Sequence, residues 1–226
     1  MVVEPVEGGP DALAARAAIW LADRIWAAVA ARGCAHVAVS GGSTPAAMFE
    51  RLGTLPLPWT LLHIWQVDER VAPDGDANRN AGQLTPLARA ALHLAPVTET
   101  DLRGAAERYG HELRAWCDGV LDVVHLGVGD DGHTASWPPG EKIRTDVDVD
   151  VVGPFRGHLR LTLSPLLVNA ARELLVLAAG ETKAPVLASL MHGGSALPLG
   201  LLRRGNLTVL ADRPALSGVA RTVSLE

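Results

Sequence analysis

The stretch Ala35-His36-Val37-Ala38-Val39-Ser40-Gly41-Gly42-Ser43-Thr44-Pro45 decides the fold of this 226-residue chain. Its first five residues form an apolar run that predicts a buried strand, and the serine and glycine residues that follow predict a tight loop. Pro45 stands in the first turn of a predicted helix, with Ser43 or Thr44 expected as the capping residue. A strand, a glycine loop and a helix in that order form the repeating unit of a parallel α/β sheet.

The same alternation recurs along the chain. Further apolar strands are predicted over residues 61–67, 121–128, 160–163, 174–179 and 207–210, and helices over residues 11–31, 100–118 and 182–191. Continuous apolar strands that alternate with amphipathic helices are typical of a sheet that is covered on both faces. We therefore predict an α/β protein with a doubly wound, mostly parallel sheet and helices on both faces, forming a single domain over residues 1–226.

Composition and charge restrict the possible functions. Hydrophobic residues make up 48% of the chain and charged residues 20%, which is typical of a globular protein. The net charge of −5 disfavours nucleic acid as a partner. No apolar run approaches the ~18–20 residues that cross a bilayer, and the opening segment is acidic, so we expect a cytoplasmic protein that does not bind membranes. Cys34 and Cys117 are expected to be free, buried thiols.

Polar clusters follow three of the predicted strands, at the edge of a parallel sheet where ligands bind. In the first, Ser40–Thr44, the glycines and the backbone N–H groups at a helix N-terminus favour a phosphate, although a plain strand-to-helix turn would have the same sequence. In the second, Asp68-Glu69-Arg70, the carboxylates would orient sugar hydroxyls and the arginine would bind a pair of charged oxygens. A surface ion pair is the alternative interpretation of this cluster.

The third cluster is Gly127-Val128-Gly129-Asp130-Asp131-Gly132-His133-Thr134-Ala135-Ser136. An imidazole suits general acid–base catalysis because its ordinary pKa is ~6.5, and Asp131 is placed to fix the tautomer of His133. The alternative is a histidine that caps the next helix. A metal site is disfavoured, since the other histidines have no ligand spacing with His133. Direct attack by an activated water is favoured over a nucleophilic serine, because Ser40–Ser43 does not match the GxSxG motif.

Two cations further along the chain complete the candidate site. Arg160 begins a short predicted strand, and Lys183 follows another strand through a Gly-Glu turn. Lysine is rare in this chain, so a lysine inside a motif stands out. At the carboxyl edge of the sheet Lys183 would reach a phosphate, and the alternative is an exposed lysine at a helix start.

Together these clusters resemble the 6-phosphogluconolactonase family, over most of the chain and in the family's order. The stretches that carry the resemblance are Val39–Pro45, Asp68–Val71 with Pro73, Gly127–Ser136, Arg160–Leu163, Asn169–Ala171 and Gly180–Lys183. The resemblance implies a modified Rossmann-like fold and the hydrolysis of 6-phospho-D-glucono-1,5-lactone to 6-phosphogluconate, a step of the oxidative pentose phosphate pathway. It also implies that no metal and no organic cofactor is needed.

The resemblance assigns a role to each candidate residue. His133 would be the base that activates water, with Asp131 beside it as the second catalytic residue. The residues that would bind the substrate and its phosphate are Gly41, Gly42, Ser43, Thr44, Asp68, Arg70, Arg160 and Lys183. The expected partner is a small-molecule sugar phosphate, and the chain is expected to be a monomer or a small homo-oligomer.

This chain departs from the sequence pattern of the family at two places, and two functions other than the lactonase are also considered. The family often has Leu-Phe-Pro-Gly at Trp137–Gly140 and a tyrosine at Arg79, so the local pocket wall is expected to differ. Related glucosamine-6-phosphate deaminases usually carry a tyrosine at Arg70 and Asn-Glu-Pro at Trp137-Pro138-Pro139, and both differences favour the lactonase. A non-catalytic sugar-phosphate sensor would normally carry a basic helix-turn-helix, whereas the first predicted helix here is apolar and alanine-rich.

Overall fold

A computed structural model of the chain describes residues 1–194 and 196–219. The strands are β1 (Val2–Val6), β2 (Ala35–Val39), β3 (Leu62–Gln66), β4 (Asp68–Arg70), β5 (Ala91–His93), β6 (Val123–Gly127), β7 (Val149–Phe155), β8 (His158–Leu163), β9 (Glu173–Ala178) and β10 (Leu207–Asp212). The α-helices are α1 (Gly9–Arg32), α2 (Ser43–Gly53), α3 (Leu102–Cys117), α4 (Pro165–Ala170) and α5 (Ala184–Met191). The single domain predicted over residues 1–226 stays a prediction, and its residues 195 and 220–226 lie outside the described ranges.

Seven strands form a parallel sheet in the order β1-β10-β9-β6-β2-β3-β5. All of its neighbouring pairs are parallel. Strands β3 and β5 lie on one side of β2, and β6, which follows them in the chain, lies on the other side. The loops after β2 and β6 therefore diverge and leave a crevice at the carboxyl edge. The predicted doubly wound, parallel α/β fold is confirmed.

A second sheet of three antiparallel strands lies beside the first, in the order β4-β8-β7. The prediction placed residues 160–163 in the mostly parallel sheet, and this was wrong. These residues belong to β8, which pairs antiparallel with both β4 and β7. The two-residue turn that joins β7 to β8 produces this pairing, and hydrophobic periodicity does not reveal such a turn.

Two buried cores cover the two faces of the parallel sheet. Helices α1 and α2 pack on one face through residues such as Leu21 and Phe49. Helices α3 and α5 pack on the other face through residues such as Leu113 and Leu187. Successive strand residues point to opposite cores, so that the strands are apolar on both sides, as the continuous apolar runs predicted. Within the described residues, no helix combines the length and the apolar character needed to cross a bilayer.

The structure also differs from the predicted elements in detail. The edge strands β1 and β5 were not predicted, because β1 contains glutamate and proline and β5 has three residues. The predicted helix over 182–191 begins with a 3₁₀ turn over Glu181–Lys183, and only then becomes α5. The two cysteines are free but half-buried rather than buried, and Cys34 lies immediately before β2.

Strand β6 places a histidine inside the core. The His125 side chain is fully buried, and neither ring nitrogen has a hydrogen-bond partner among the described residues. Burial lowers the pKa of His125 to about 3, so the ring is neutral in the folded protein. The imidazole packs edge-on against Phe49, at 6.3 Å between ring centroids.

This buried imidazole should make the protein sensitive to acid. Folding lowers the pKa of this imidazole from its unfolded value of ~6.5. The protein therefore has its full free energy of unfolding above that pKa, and loses part of it as the pH falls toward the pKa of the folded state. Between about pH 7.5 and pH 5, His125 should remove about 2 kcal/mol from the free energy of unfolding. The variant His125→Leu should lose about 2 kcal/mol less of its free energy of unfolding than the wild type between these two pH values, as measured by chemical denaturation at both. The control is His111→Gln, which replaces an exposed histidine and should show the same pH dependence of the free energy of unfolding as the wild type. The same pH dependence in the His125 variant would show that His125 does not cause the sensitivity to acid.

Candidate active site

A cleft of about 500 Å³ opens at the carboxyl edge of the parallel sheet, where the loops after β2 and β6 diverge. The loops that follow β2, β4, β6 and β9 contribute to its wall. The predicted site residues that line it are Gly41, Gly42, Ser43, Thr44, Asp68, Arg70, His133, Arg160 and Lys183. Asp131, the remaining predicted residue, does not line the cleft and contacts the His133 ring.

The loop after β2 approaches its neighbours closely. A Cβ at Gly41 would lie 2.1 Å from Oδ1 of Asn80, and Gly42 has a φ of 137°, which side chains rarely adopt. Neither Ser43 nor Thr44 caps α2, contrary to the prediction, because Gly42 is the N-cap and makes no side-chain cap bond. The N-terminus of α2 therefore lacks a side-chain cap, and its first residues, Ser43 and Thr44, line the cleft. The helix dipole favours an anion at such an end.

Glu69 has a structural role that differs from the one predicted for its cluster. Its carboxylate is fully buried and does not line the cleft. It accepts hydrogen bonds from the Gln66 side chain and from the backbone N–H groups of Arg70, Asn80 and Ala81. Arg79 adds an ion pair, with its Nε 3.1 Å from Oε2 of Glu69. Arg79, which stands where the family often has tyrosine, is therefore buried beside the cleft as a counter-ion and does not add a cation to its lining.

Asp68 and the two arginines beside it form the floor of the cleft. The buried Asp68 carboxylate accepts a hydrogen bond from Oγ of Ser136 at 2.7 Å and lies 3.6 Å from Nη1 of Arg160. Burial lowers the pKa of the Arg160 guanidinium, and the charge of Asp68 opposes that effect. Nη1 of Arg70 donates to the backbone oxygen of Asn78 and to Oδ1 of Asn80. Both guanidinium groups are thus held in place before any ligand binds.

The loop after β6 holds His133 and Asp131 as a pair. Nδ1 of His133 lies 2.5 Å from Oδ1 of Asp131, and the backbone N–H of His133 donates to the same oxygen at 3.1 Å. A Cβ at Gly129 would lie 2.0 Å from Nδ1 of His133, so the ring needs a glycine at that position. No helix follows His133 directly, which removes the capping interpretation.

The charge state of Asp131 fixes the histidine tautomer. Partial burial alone would raise the pKa of Asp131, but hydrogen bonds from the ring and the backbone N–H of His133 outweigh it and lower the pKa to about 2. Because Asp131 is a carboxylate at neutral pH, Nδ1 of His133 carries the proton. Nε2 then has a lone pair for a proton from water. A pair of this kind can perform general-base catalysis, with the carboxylate orienting the imidazole.

Lys183 is held at the cleft by Asp130, which lies in the loop after β6. Its ammonium group pairs with Asp130, which also accepts a hydrogen bond from Oγ1 of Thr182 at 2.9 Å. The hydrogen bonds from Lys183 and Thr182 lower the pKa of Asp130. Sequence reasoning did not identify Asp130 as the partner of Lys183, although the two residues lie at the ends of adjacent strands, β6 and β9.

Sequence reasoning missed Arg156, which also lines the cleft. It lies at the turn between β7 and β8, and its Nη2 donates to Oδ2 of Asp131 at 3.2 Å. Phe155, next to it, packs edge-on against His133 at 5.2 Å between ring centroids. The only sequence signal for this turn is the dipeptide Arg156-Gly157 ahead of a short apolar run.

The cleft has a local charge opposite to that of the chain. Four lining residues are cations, namely Arg70, Arg156, Arg160 and Lys183, against the two carboxylates of Asp68 and Asp130. A chain with a net charge of −5 thus presents a site that favours an anion at short range. Across the described ranges, no three side chains of histidine, cysteine, aspartate or glutamate are arranged to hold a metal ion.

Comparison with known proteins gives relatives that match most of the chain. The family model described as glucosamine-6-phosphate isomerases/6-phosphogluconolactonase matches residues 8–210. A 6-phosphogluconolactonase of Synechocystis is 35% identical over 182 residues, covering 74% of this chain and 76% of the relative. A 6-phosphogluconolactonase of Streptomyces coelicolor is 30% identical and covers 94% of this chain and 93% of the relative.

Solved structures give the same result. A 6-phosphogluconolactonase of Trypanosoma brucei superposes with a TM-score of 0.87 at 26% identity, covering 97% of this chain and 98% of that one. A monomeric glucosamine-6-phosphate deaminase superposes with a TM-score of 0.83 at 21% identity, over 96% of this chain and all of that one, which shows a shared fold. The chain belongs to the glucosamine-6-phosphate isomerase/6-phosphogluconolactonase family.

Proposed function

We propose that this protein is a 6-phosphogluconolactonase, which hydrolyses 6-phospho-D-glucono-1,5-lactone to 6-phosphogluconate. The observation that carries the proposal is the His133–Asp131 pair in a cleft lined by four cations. A base and an excess of positive charge are what the hydrolysis of an anionic lactone requires. The curated relatives with this name cover most of the chain and support the same reaction.

The catalytic step follows from the tautomer of His133. Nε2 takes a proton from a water molecule as the water oxygen attacks C1 of the lactone, and the C1–O bond of the ring then breaks. The proton on Nε2 passes to the ring oxygen, which becomes the hydroxyl of the open-chain product. Asp131 stays ionised and stabilises the imidazolium while it carries the proton. No covalent enzyme intermediate is needed, because a δ-lactone is already reactive toward water.

The cations supply binding and charge stabilisation. The N-terminus of α2, with Ser43 and Thr44 in its first turn, suits the phosphate, and Lys183 lines the same cleft. Arg70 and Arg160 lie on the adjacent strands β4 and β8, where the register pairs them directly. One of these arginines would stabilise the negative charge that develops on the carbonyl oxygen.

Deaminase chemistry is the alternative within the same family, and one structural feature argues against it. Isomerisation of a sugar phosphate needs a carboxylate that accepts a proton from carbon. Asp68 is buried, and its Oδ2 is already engaged by Ser136 and Arg160. Trp137 and Pro138 also stand where the deaminases usually carry Asn-Glu.

Removing the imidazole tests the base. His133→Ala should lower kcat at least ~10²-fold with little change in substrate binding, because general-base catalysis typically contributes ~10²–10⁴-fold. The measurement is lactone hydrolysis above the spontaneous background, with the exposed His111→Ala as a control that should keep wild-type kcat. Near-normal turnover by the His133 variant would remove this residue from the mechanism.

Neutralising Lys183 tests phosphate recognition. A charge-assisted hydrogen bond is worth roughly 1.5–3 kcal/mol, so Lys183→Gln should lower kcat/KM for the phosphorylated lactone about 10-fold or more. Plain gluconolactone lacks the phosphate and should lose far less. Lys142→Gln removes the exposed lysine outside the cleft and should change neither value. Equal losses for both lactones would mean that Lys183 stabilises only the carbonyl oxygen.

A comparison of two substrates separates the two activities of the family. The purified protein should hydrolyse 6-phosphogluconolactone and leave glucosamine 6-phosphate unchanged, with acid release and ammonia release measured in parallel. Ammonia release from the amino sugar would overturn the proposal.

A further inference from the structure

The turn between β7 and β8 places a charged residue where the backbone disfavours one. Phe155 pairs with His158, which leaves Arg156 and Gly157 as a two-residue turn with positive φ values of 50° and 85°. Such turns favour glycine, asparagine or aspartate, and a bulky side chain with positive φ is uncommon. Outliers of this kind occur at functional sites, where the surrounding contacts hold them.

The Arg156 side chain contacts the catalytic pair at a single point. Its Nη2 donates to Oδ2 of Asp131, whereas Oδ1 of Asp131 is bonded twice by His133, through the ring and through the backbone N–H. The backbone of the loop thus fixes the carboxylate on the His133 side. Arg156 is the one described cation that forms an ion pair with its other oxygen.

From these contacts we propose that Arg156 is a positioning residue that acts through Asp131 and weakens the hold of that carboxylate on the proton of the His133 imidazolium. This inference rests on the proposed function and adds to it. Oδ1 of Asp131 faces the His133 ring, and Oδ2 faces the Arg156 guanidinium. The base can then stay neutral, and active, at a lower pH than an unopposed carboxylate would allow.

The other charges around His133 do not duplicate this role. The charged groups that line the cleft come from the loop of His133 itself, from β4, from the β7–β8 hairpin and from the segment after β9, and they are Asp68, Arg70, Asp130, Arg156, Arg160 and Lys183. Asp131 contacts the His133 ring from outside this lining. Asp68 is paired with Arg160, and Asp130 is paired with Lys183. Arg70 donates to Asn78 and Asn80. Of the cations in the described cleft, Arg156 alone contacts Asp131.

The direction of the effect follows from the geometry. Arg156→Gln leaves both bonds between His133 and Oδ1 of Asp131 in place and removes a positive charge from the pair. Both the freed carboxylate and the lost repulsion favour the imidazolium, so the ring should take up its proton at a higher pH. Because Arg156 is about half exposed, solvent weakens the effect, and we expect a shift of about half a pH unit.

The experiment is an NMR titration of the histidine ring ¹³Cε1 resonances, with the His133 signal identified by its loss in His133→Ala. Arg156→Gln should raise the midpoint of that signal, and Arg156→Lys should restore the wild-type midpoint because it keeps the charge. Arg144→Gln, which removes an exposed arginine paired with Asp146 outside the cleft, is the matched control and should leave the midpoint unchanged. The acid limb of kcat/KM for the phosphorylated lactone should move with the midpoint.

Other outcomes would overturn the inference. A midpoint that is unmoved or lowered in Arg156→Gln would show that Arg156 does not act through Asp131. A raised KM for the phosphorylated lactone with an unmoved midpoint would make Arg156 a phosphate contact instead. The titration needs no substrate, so it still tests Arg156 if the wild-type protein fails to hydrolyse the lactone and the proposed function is wrong.

Discussion

A carboxylate with no access to solvent is tolerated only when its charge and its lone pairs are satisfied, and Glu69 imposes this constraint on the whole cleft. Four hydrogen bonds and the Arg79 ion pair surround it. Those contacts fix the segment that contains Asn80, whose side chain in turn holds Arg70 and leaves room only for a glycine at position 41. The buried carboxylate of Glu69 therefore determines how the loop after β2 meets the segment after β4.

The third loop is joined to the others through a second shared group. Asp68 accepts from Ser136 of the loop after β6, and its backbone oxygen accepts from the Asn80 side chain. The backbone N–H of Ser136 donates to Thr162 in β8. The small antiparallel sheet thus connects the loop that holds His133 to the strand that holds Arg70. The cations and His133 keep fixed relative positions because hydrogen-bonded, buried polar groups lie between them.

The sequence was informative wherever one physical rule acts locally. Continuous apolar runs predicted the parallel strands, and the rule that ligands bind at the carboxyl edge placed Ser43, Asp68 and His133 in one cleft. Two kinds of feature could not be predicted from the sequence. The antiparallel pairing of β8 depends on a turn that brings distant residues together, and so Arg156 was not found. The role of Glu69 depends on complete burial, which the neighbouring Asp68 and Arg70 do not reveal, since three adjacent polar residues look alike in sequence.

The anchoring of Trp137 has a consequence for the thermodynamics of substrate binding. This indole ends the loop that holds His133, is fully buried, and donates its N–H to the backbone oxygen of Leu163 at 2.9 Å. Oγ1 of Thr134 donates to the backbone oxygen of Gly127, the last residue of β6, and so ties the loop to its start. A loop that is held at both ends loses its conformational entropy when the chain folds, and not when a ligand arrives. The free energy of the ligand contacts is then available for affinity, since little of it is consumed in ordering the loop that holds His133.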